Sequence, residues 1–133
     1  MNLTLKQAKL IIQKAEEKAE EIGVNMNIAV VDYGANLLAF VRMEEAFLGA
    51  IDIAIKKART ARLFNKNTGD LGKLSKPEGP LFNIEHSNGG LITFPGGVPI
   101  KNEEGKVIGA IGVSGSTVEN DFEVANAGAN AIV

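Results

Sequence analysis

The chain holds a single imidazole, His86, inside the polar run Glu85-His86-Ser87-Asn88-Gly89-Gly90. Near neutral pH an imidazole can exchange a proton or ligate a metal or a haem iron, and Glu85 is a second proton-moving group at its side. Other residue types narrow what this pair can do. A hydrolytic triad needs an activated nucleophile, and no Gly-x-Ser-x-Gly elbow accompanies the histidine. A zinc site needs further His or Cys ligands; the chain has neither, so no metal site is expected. What is left is a general acid/base pair, a haem-iron ligand, or an exposed loop histidine.

A second concentration of chemistry is Phe94-Pro95-Gly96-Gly97-Val98-Pro99-Ile100, followed by the glycine-rich run Gly105 to Ser116. So many glycines imply close approach of the backbone to another strand or to a ligand, and the N–H groups of Gly96 and Gly97 could donate to a developing anion. Gly109, Gly112 and Gly115 are spaced GxxGxxG, which is not the dinucleotide fingerprint, and there is no P-loop. Gly115-Ser116-Thr117 instead opens a helix, so Ser116 sits where a helix N-terminus either caps itself or holds a carboxylate or phosphate. Between Lys56 and Lys76 there are seven basic residues, Arg59 among them, against Asp70 alone; this stretch can attract a small anionic ligand or simply form a solvated face. Arg42 closes an apolar strand and has two expected uses, an ion pair with Asp32 or Glu44 and a ligand contact.

The elements that must position these groups follow from periodicity. Thr4 and Gln7 have capping-box spacing and start an amphipathic helix that ends near Gly23; its glutamates 16, 17, 20 and 21 read as a solvated face partly paired with Lys14 and Lys18. Asn27–Val31 and Leu37–Met43 form a hairpin around Asp32–Asn36. A helix runs from Gly49 to about Phe64, followed by a loop from Lys66 to Gly90 with one helical turn near Asp70–Leu74. Leu91–Phe94, Val98–Lys101 and Val107–Ser114 read as three more strands, and Ser116 with Glu119 caps a terminal helix that extends to Ala131. Two strands, then three, joined by hairpins and flanked by helices, make an α+β domain with a five-stranded, mainly antiparallel sheet.

Length and composition agree with a single domain over residues 1–133. A hydrophobic fraction of 45% with 23% charged residues excludes a disordered or fibrous chain, and a net charge of −2 argues against nucleic acid as partner. The start of the chain lacks the form of a signal peptide, and no run approaches the roughly 18 apolar residues of a membrane span. The expected location is the cytoplasm, with no membrane partner.

Several motifs in register resemble the GlcG/HbpS family, also called the haem-degrading or DUF336 domain, which includes the C-terminal domain of PduO-type cobalamin adenosyltransferases. They are Ala29-Val30-Val31-Asp32 with Gly34 and Asn36–Phe40, Arg42-Met43, Ala54 with Lys57-Ala58-Arg59-Thr60-Ala61, Phe94 to Ile100, Val107 to Gly115, and Asp121 with Ala125 and Ala127-Gly128. The resemblance covers essentially the whole chain. It implies a profilin-like fold with helices on both faces of the sheet, a homo-oligomer, and an accessory protein of glycolate or diol utilisation that binds haem or a related tetrapyrrole. The ligand contacts expected here are His86, Arg42, Arg59, Gly96, Gly97 and Ser116. Alternatives are a small-metabolite enzyme using Glu85 and His86, and a structural oligomeric domain. Arg42-Met43-Glu44-Glu45-Ala46 departs from the Arg-Met-Asp-Gly-Ala common among relatives. The first helix also lacks the histidine expected in some haem-binding members, so iron ligation would rest on His86, a methionine, a hydroxyl or a pocket without coordination.

Overall fold

Thr4 and Gln7 satisfy each other's free donors as their spacing predicts: Gln7 N–H donates to Thr4 Oγ1 (3.1 Å) and Thr4 N–H to Gln7 Oε1 (2.9 Å). They open helix α1, Leu5–Glu21, in a computed structural model that describes residues 2–132. Strands β1 (Asn27–Val31) and β2 (Leu37–Arg42) follow, then helices α2 (Gly49–Phe64) and α3 (Thr68–Ser75), a 3-10 turn at Ile84–His86, strands β3 (Gly97–Lys101) and β4 (Val107–Ser114), and helix α4 (Val118–Ala129). Both hairpin turns are closed by an acceptor side chain. Asp32 Oδ1 takes the N–H groups of Gly34 and Asn36, and Asn102 Oδ1 takes those of Glu104 and Lys106.

The strands lie in the order β2-β1-β4-β3, every neighbouring pair antiparallel. Ile11 and Ala15 of α1, with Val124 and Ala125 of α4, cover one face over Ile28, Val30, Ile111 and Val113. Each such Val or Ile side chain, when fully buried, is worth about 1.5–3 kcal/mol. On the other face α2 lies close to the sheet through small residues, Ala54, Ala58 and Ala61 against Ala29, Val31 and Ala110. Helices therefore flank both faces, as expected.

Two expectations are corrected. Among the described residues the sheet has four strands, not five, because Leu91–Phe94 does not join it. Its backbone groups are satisfied elsewhere: Leu91 N–H donates to Glu85 O (2.9 Å), Ile92 N–H to Thr60 Oγ1 (3.2 Å), and Phe94 O accepts from Thr68 Oγ1 (2.7 Å). With those groups committed to the 3-10 turn and to helix side chains, and Pro95 next in line without an N–H, the segment is held off the ladder. Secondly, the helical turn near Asp70 is an eight-residue helix. Gly72 weakens its intrinsic propensity, yet a Cβ there would collide with the Thr93 carbonyl, so the glycine is what lets the Leu91–Pro95 segment lie directly on α3.

Candidate ligand-binding site

Lys57 lies on the sheet-facing side of α2 between Ala54 and Ala61, and its side chain is 0% exposed. Its Nζ donates to Asp121 Oδ2 of α4 (2.8 Å) and to Val113 O of β4 (2.9 Å). Asp121 Oδ1 accepts in turn from the Ser116 N–H (3.0 Å). The ammonium also lies 4.9 Å from the centre of the Phe94 ring, at cation–π range. Burial holds the Lys57 ammonium below the ordinary lysine value, opposed by the Asp121 carboxylate. Burial likewise pushes the Asp121 carboxyl up, against the lowering effect of Lys57 and the backbone donors. In both groups desolvation outweighs the partner, the usual balance for a dry ion pair.

Phe94 connects this buried pair to an open groove. The ring is 41% exposed and, with Phe82 at 54%, walls a groove of about 520 Å³ against α3. Lys73 and Lys76 stand at its edge, and Glu85 and Thr93 line it. The 3-10 turn places Glu85: Oε2 accepts from Thr93 Oγ1 (3.3 Å), while Oε1 is buried and has no partner among the described residues. A carboxylate oxygen without a donor is expensive inside a protein. The groove thus combines two aromatic faces and two ammonium groups, chemistry suited to a flat molecule with anionic arms, while the Glu85 oxygen calls for a donor or a cation.

The residues singled out in the sequence fall into three places. His86 shares the 3-10 turn with Glu85 but is exposed and does not line the groove. Arg59 reaches the same loop, its guanidinium donating to Asn88 O at 3.4–3.5 Å. Gly96 and Gly97 are buried against α2: a Cβ on Gly96 would lie 2.5 Å from Lys57 Nζ, and the Gly97 N–H is taken by Thr68 Oγ1 (2.9 Å). The close approach read from these glycines is therefore to a helix and its lysine, and the Gly97 N–H is not free to hold an anion. Ser116 meets the same pair through its bond to Asp121. It is not the cap of α4, as its spacing with Glu119 suggested; Thr117 is, its Oγ1 accepting from Asn120 N–H (3.1 Å). Arg42 stands apart, paired across the sheet with Asn27, its Nε donating to Ala46 O (3.1 Å). It forms no salt bridge with Asp32 or Glu44 among the described residues, since the Asp32 carboxylate is engaged in its own turn.

The acidic face of α1 behaves as a solvated face, with Lys14–Glu17 (3.5 Å) and Lys18–Glu21 (3.4 Å) pairs. Among the described residues no cluster of His, Cys, Asp and Glu could hold a metal ion, and no helix is long and apolar enough to cross a membrane.

Sequence reasoning missed Lys57 and Asp121 as a unit, and Phe82, Lys73 and Lys76 as groove residues. Lys57 counted toward a basic run, whereas the structure removes it from the surface altogether. A signal existed: Lys57 is three residues from Ala54 and four from Ala61, and Asp121 precedes Val124, Ala125 and Gly128 at spacings of three, four and seven. One cation and one anion each lay on the apolar stripe of a helix.

Comparison with known proteins gives one consistent result. The family model described as "Haem degrading protein HbpS-like" matches residues 3–130. An uncharacterised 15.0 kDa protein from the dhaT-dhaS intergenic region of Citrobacter freundii is 41% identical over 120 residues, covering 90% of this chain and 84% of that protein. The crystal structure of Klebsiella pneumoniae ORFY, of the DUF336 family, superposes with a TM-score of 0.94 at 36% identity over 98% of this chain and 90% of that one. A PduOC–haem complex superposes at 0.91 with 30% identity, over 98% and 94%.

Proposed function

This chain belongs to the HbpS-like family, and we propose that it is an accessory protein that binds a planar, anionic tetrapyrrole, haem being the named candidate, in the groove between α3 and the Leu91–Pro95 segment. The observation that carries this reading is the groove's composition: Phe82 and Phe94 offer exposed aromatic faces beside Lys73 and Lys76.

The residues fit the group. Stacking on two rings suits a flat macrocycle, and two ammonium groups suit its two propionates. For the iron, the Glu85 carboxylate is the candidate ligand that lines the groove, while the imidazole of His86, the single one in the chain, sits next to it on the 3-10 turn but outside the lining. Haem would supply a redox-active iron. The chain's own part is to stack the ring on Phe94, to neutralise the carboxylates with Lys73 and Lys76, and to keep Phe94 in place through the Lys57 ammonium beneath it.

The same reading places the protein in the cytoplasm, in the service of glycolate or diol utilisation, as a homo-oligomer. Phe47 and Leu48, 70% and 72% exposed at the start of α2, favour the oligomer because two adjacent large apolar side chains in water invite a protein partner. Titration with hemin tests the binding reading: a Soret band that shifts and saturates near one haem per chain supports it, and an unshifted band rejects it.

A further inference from the structure

A second concavity lies along the free edge of β3, between the α2–α3 turn, the β3–β4 hairpin and the end of α4. It encloses about 660 Å³ and shares no lining residue with the aromatic groove. Five asparagines line it, Asn65, Asn67, Asn102, Asn126 and Asn130. Its charged residues cancel, Lys66 and Lys101 against Asp70 and Glu103, and no aromatic ring is present.

Two of the asparagines hold the walls. Asn65 Oδ1 accepts from Arg62 Nη1 (2.8 Å), and Asn102 Oδ1 closes the β3–β4 turn. Among the described residues the other three side chains make no hydrogen bond. Asn67 occupies the N-cap position of α3 but makes no capping bond, although asparagine is among the strongest caps. Asn126 and Asn130 are four residues apart on one face of α4 and meet through the backbone alone, Asn130 N–H donating to Asn126 O (3.1 Å). Each of these carboxamides offers two donors and an acceptor to whatever fills the cleft.

We propose that this cleft is a distinct binding site for a small, neutral, polyhydroxylated molecule, a sugar or polyol. Hydroxyl groups donate and accept, matching carboxamides in both senses. A lining of zero net charge gives no preference for an ion, and the absence of a ring gives none for a flat aromatic ligand. Val98, Pro99 and Ala129 supply an apolar patch for the C–H face of such a molecule.

The test is an NMR titration of the whole chain, following the side-chain amide signals of Asn67, Asn126 and Asn130 against D-glucose and myo-inositol, with acetate as a charged control. The expected result is a saturable shift of these signals with at least one of the two neutral probes and none with acetate. The double variant Asn126→Ala/Asn130→Ala, at two exposed positions, should weaken binding at least about tenfold, given about 1 kcal/mol for each neutral hydrogen bond. Shifts that never saturate, equal shifts with acetate, or unchanged binding by the double variant would overturn the proposal. The hemin titration has no bearing on this outcome, because the two sites have no residue in common.

Discussion

Lys57 Nζ and Asp121 Oδ2 lie 2.8 Å apart with their side chains 0% and 3% exposed, tying α2 to α4 at the C-terminal end of β4. Gly96 leaves room for the ammonium, Ser116 supplies a backbone donor to the carboxylate, and Phe94 caps the cation on the groove side.

Removing one member of the pair strands the other. Asp121→Asn should destabilise the fold by about 3–5 kcal/mol, because the Lys57 charge then lacks its counter-ion in a dry site. The apolar double variant Lys57→Met/Asp121→Leu should recover at least half of that loss. Urea unfolding of the variants checks this, and a double variant worse than either single change would refute the ion-pair account.

Burial sets the pH dependence of the same pair. Asp121 has its pKa raised above 3.8, so in the window starting at 3.8 the folded chain holds a proton that the unfolded chain has released, and its contribution to stability falls as pH rises through that window. Lys57 has its pKa lowered below 10.5, so the unfolded chain binds more protons in the window ending at 10.5, and stability from this group rises with pH there. Carbon-13 titration of the Asp121 carboxyl should give a midpoint above 3.8; a midpoint at or below it would contradict the burial argument.

Gly96 has φ of 132°, and a Cβ would lie 2.5 Å from Lys57 Nζ and 2.6 Å from Val113 O. Gly96→Ala should therefore lose about 2–4 kcal/mol, combining backbone strain with overpacking. The near-ultraviolet signal of Phe94 should change with it, since the ring rests on the displaced ammonium. A variant within about 0.5 kcal/mol of the parent, the range of ordinary surface substitutions, would show that the lysine is not held as described.

Much of this was legible in the residues. The capping box at Thr4 and Gln7 and both hairpins follow from local rules that depend on a few neighbouring positions, whereas helices on both faces of the sheet were implied by the family resemblance. Leu91–Phe94 misled because its apolar, β-prone residues match a strand, while its actual bonding partners, Thr60 and Thr68, are distant in sequence. The length of α3 was hidden by glycines that tertiary contact requires and helix propensity penalises. Glu85 was identified from its type alone, but its neighbours Phe82, Thr93 and Phe94 come together through the path of a long connection, which periodicity does not report.

Charge at the groove edge should govern affinity for an anionic ring. Lys73→Glu/Lys76→Glu reverses both ammonium groups at exposed positions, and should weaken hemin binding by about tenfold or more, with the difference shrinking as salt is raised. Folding stability should stay within about 0.5 kcal/mol of the parent, as for other surface changes. Equal affinity of parent and variant at low salt would remove these lysines from the site.

The most direct test locates the ligand. Hemin is paramagnetic, so backbone amide signals near it broaden in a two-dimensional proton–nitrogen spectrum. The account predicts selective loss of the signals of Lys73, Phe82, Glu85, Thr93 and Phe94, and of the start of α4 around Asp121 behind Phe94, with the signals of α1 and of the far end of α4 retained. Broadening confined to the α1–α4 face, with the groove signals unaffected, would contradict it.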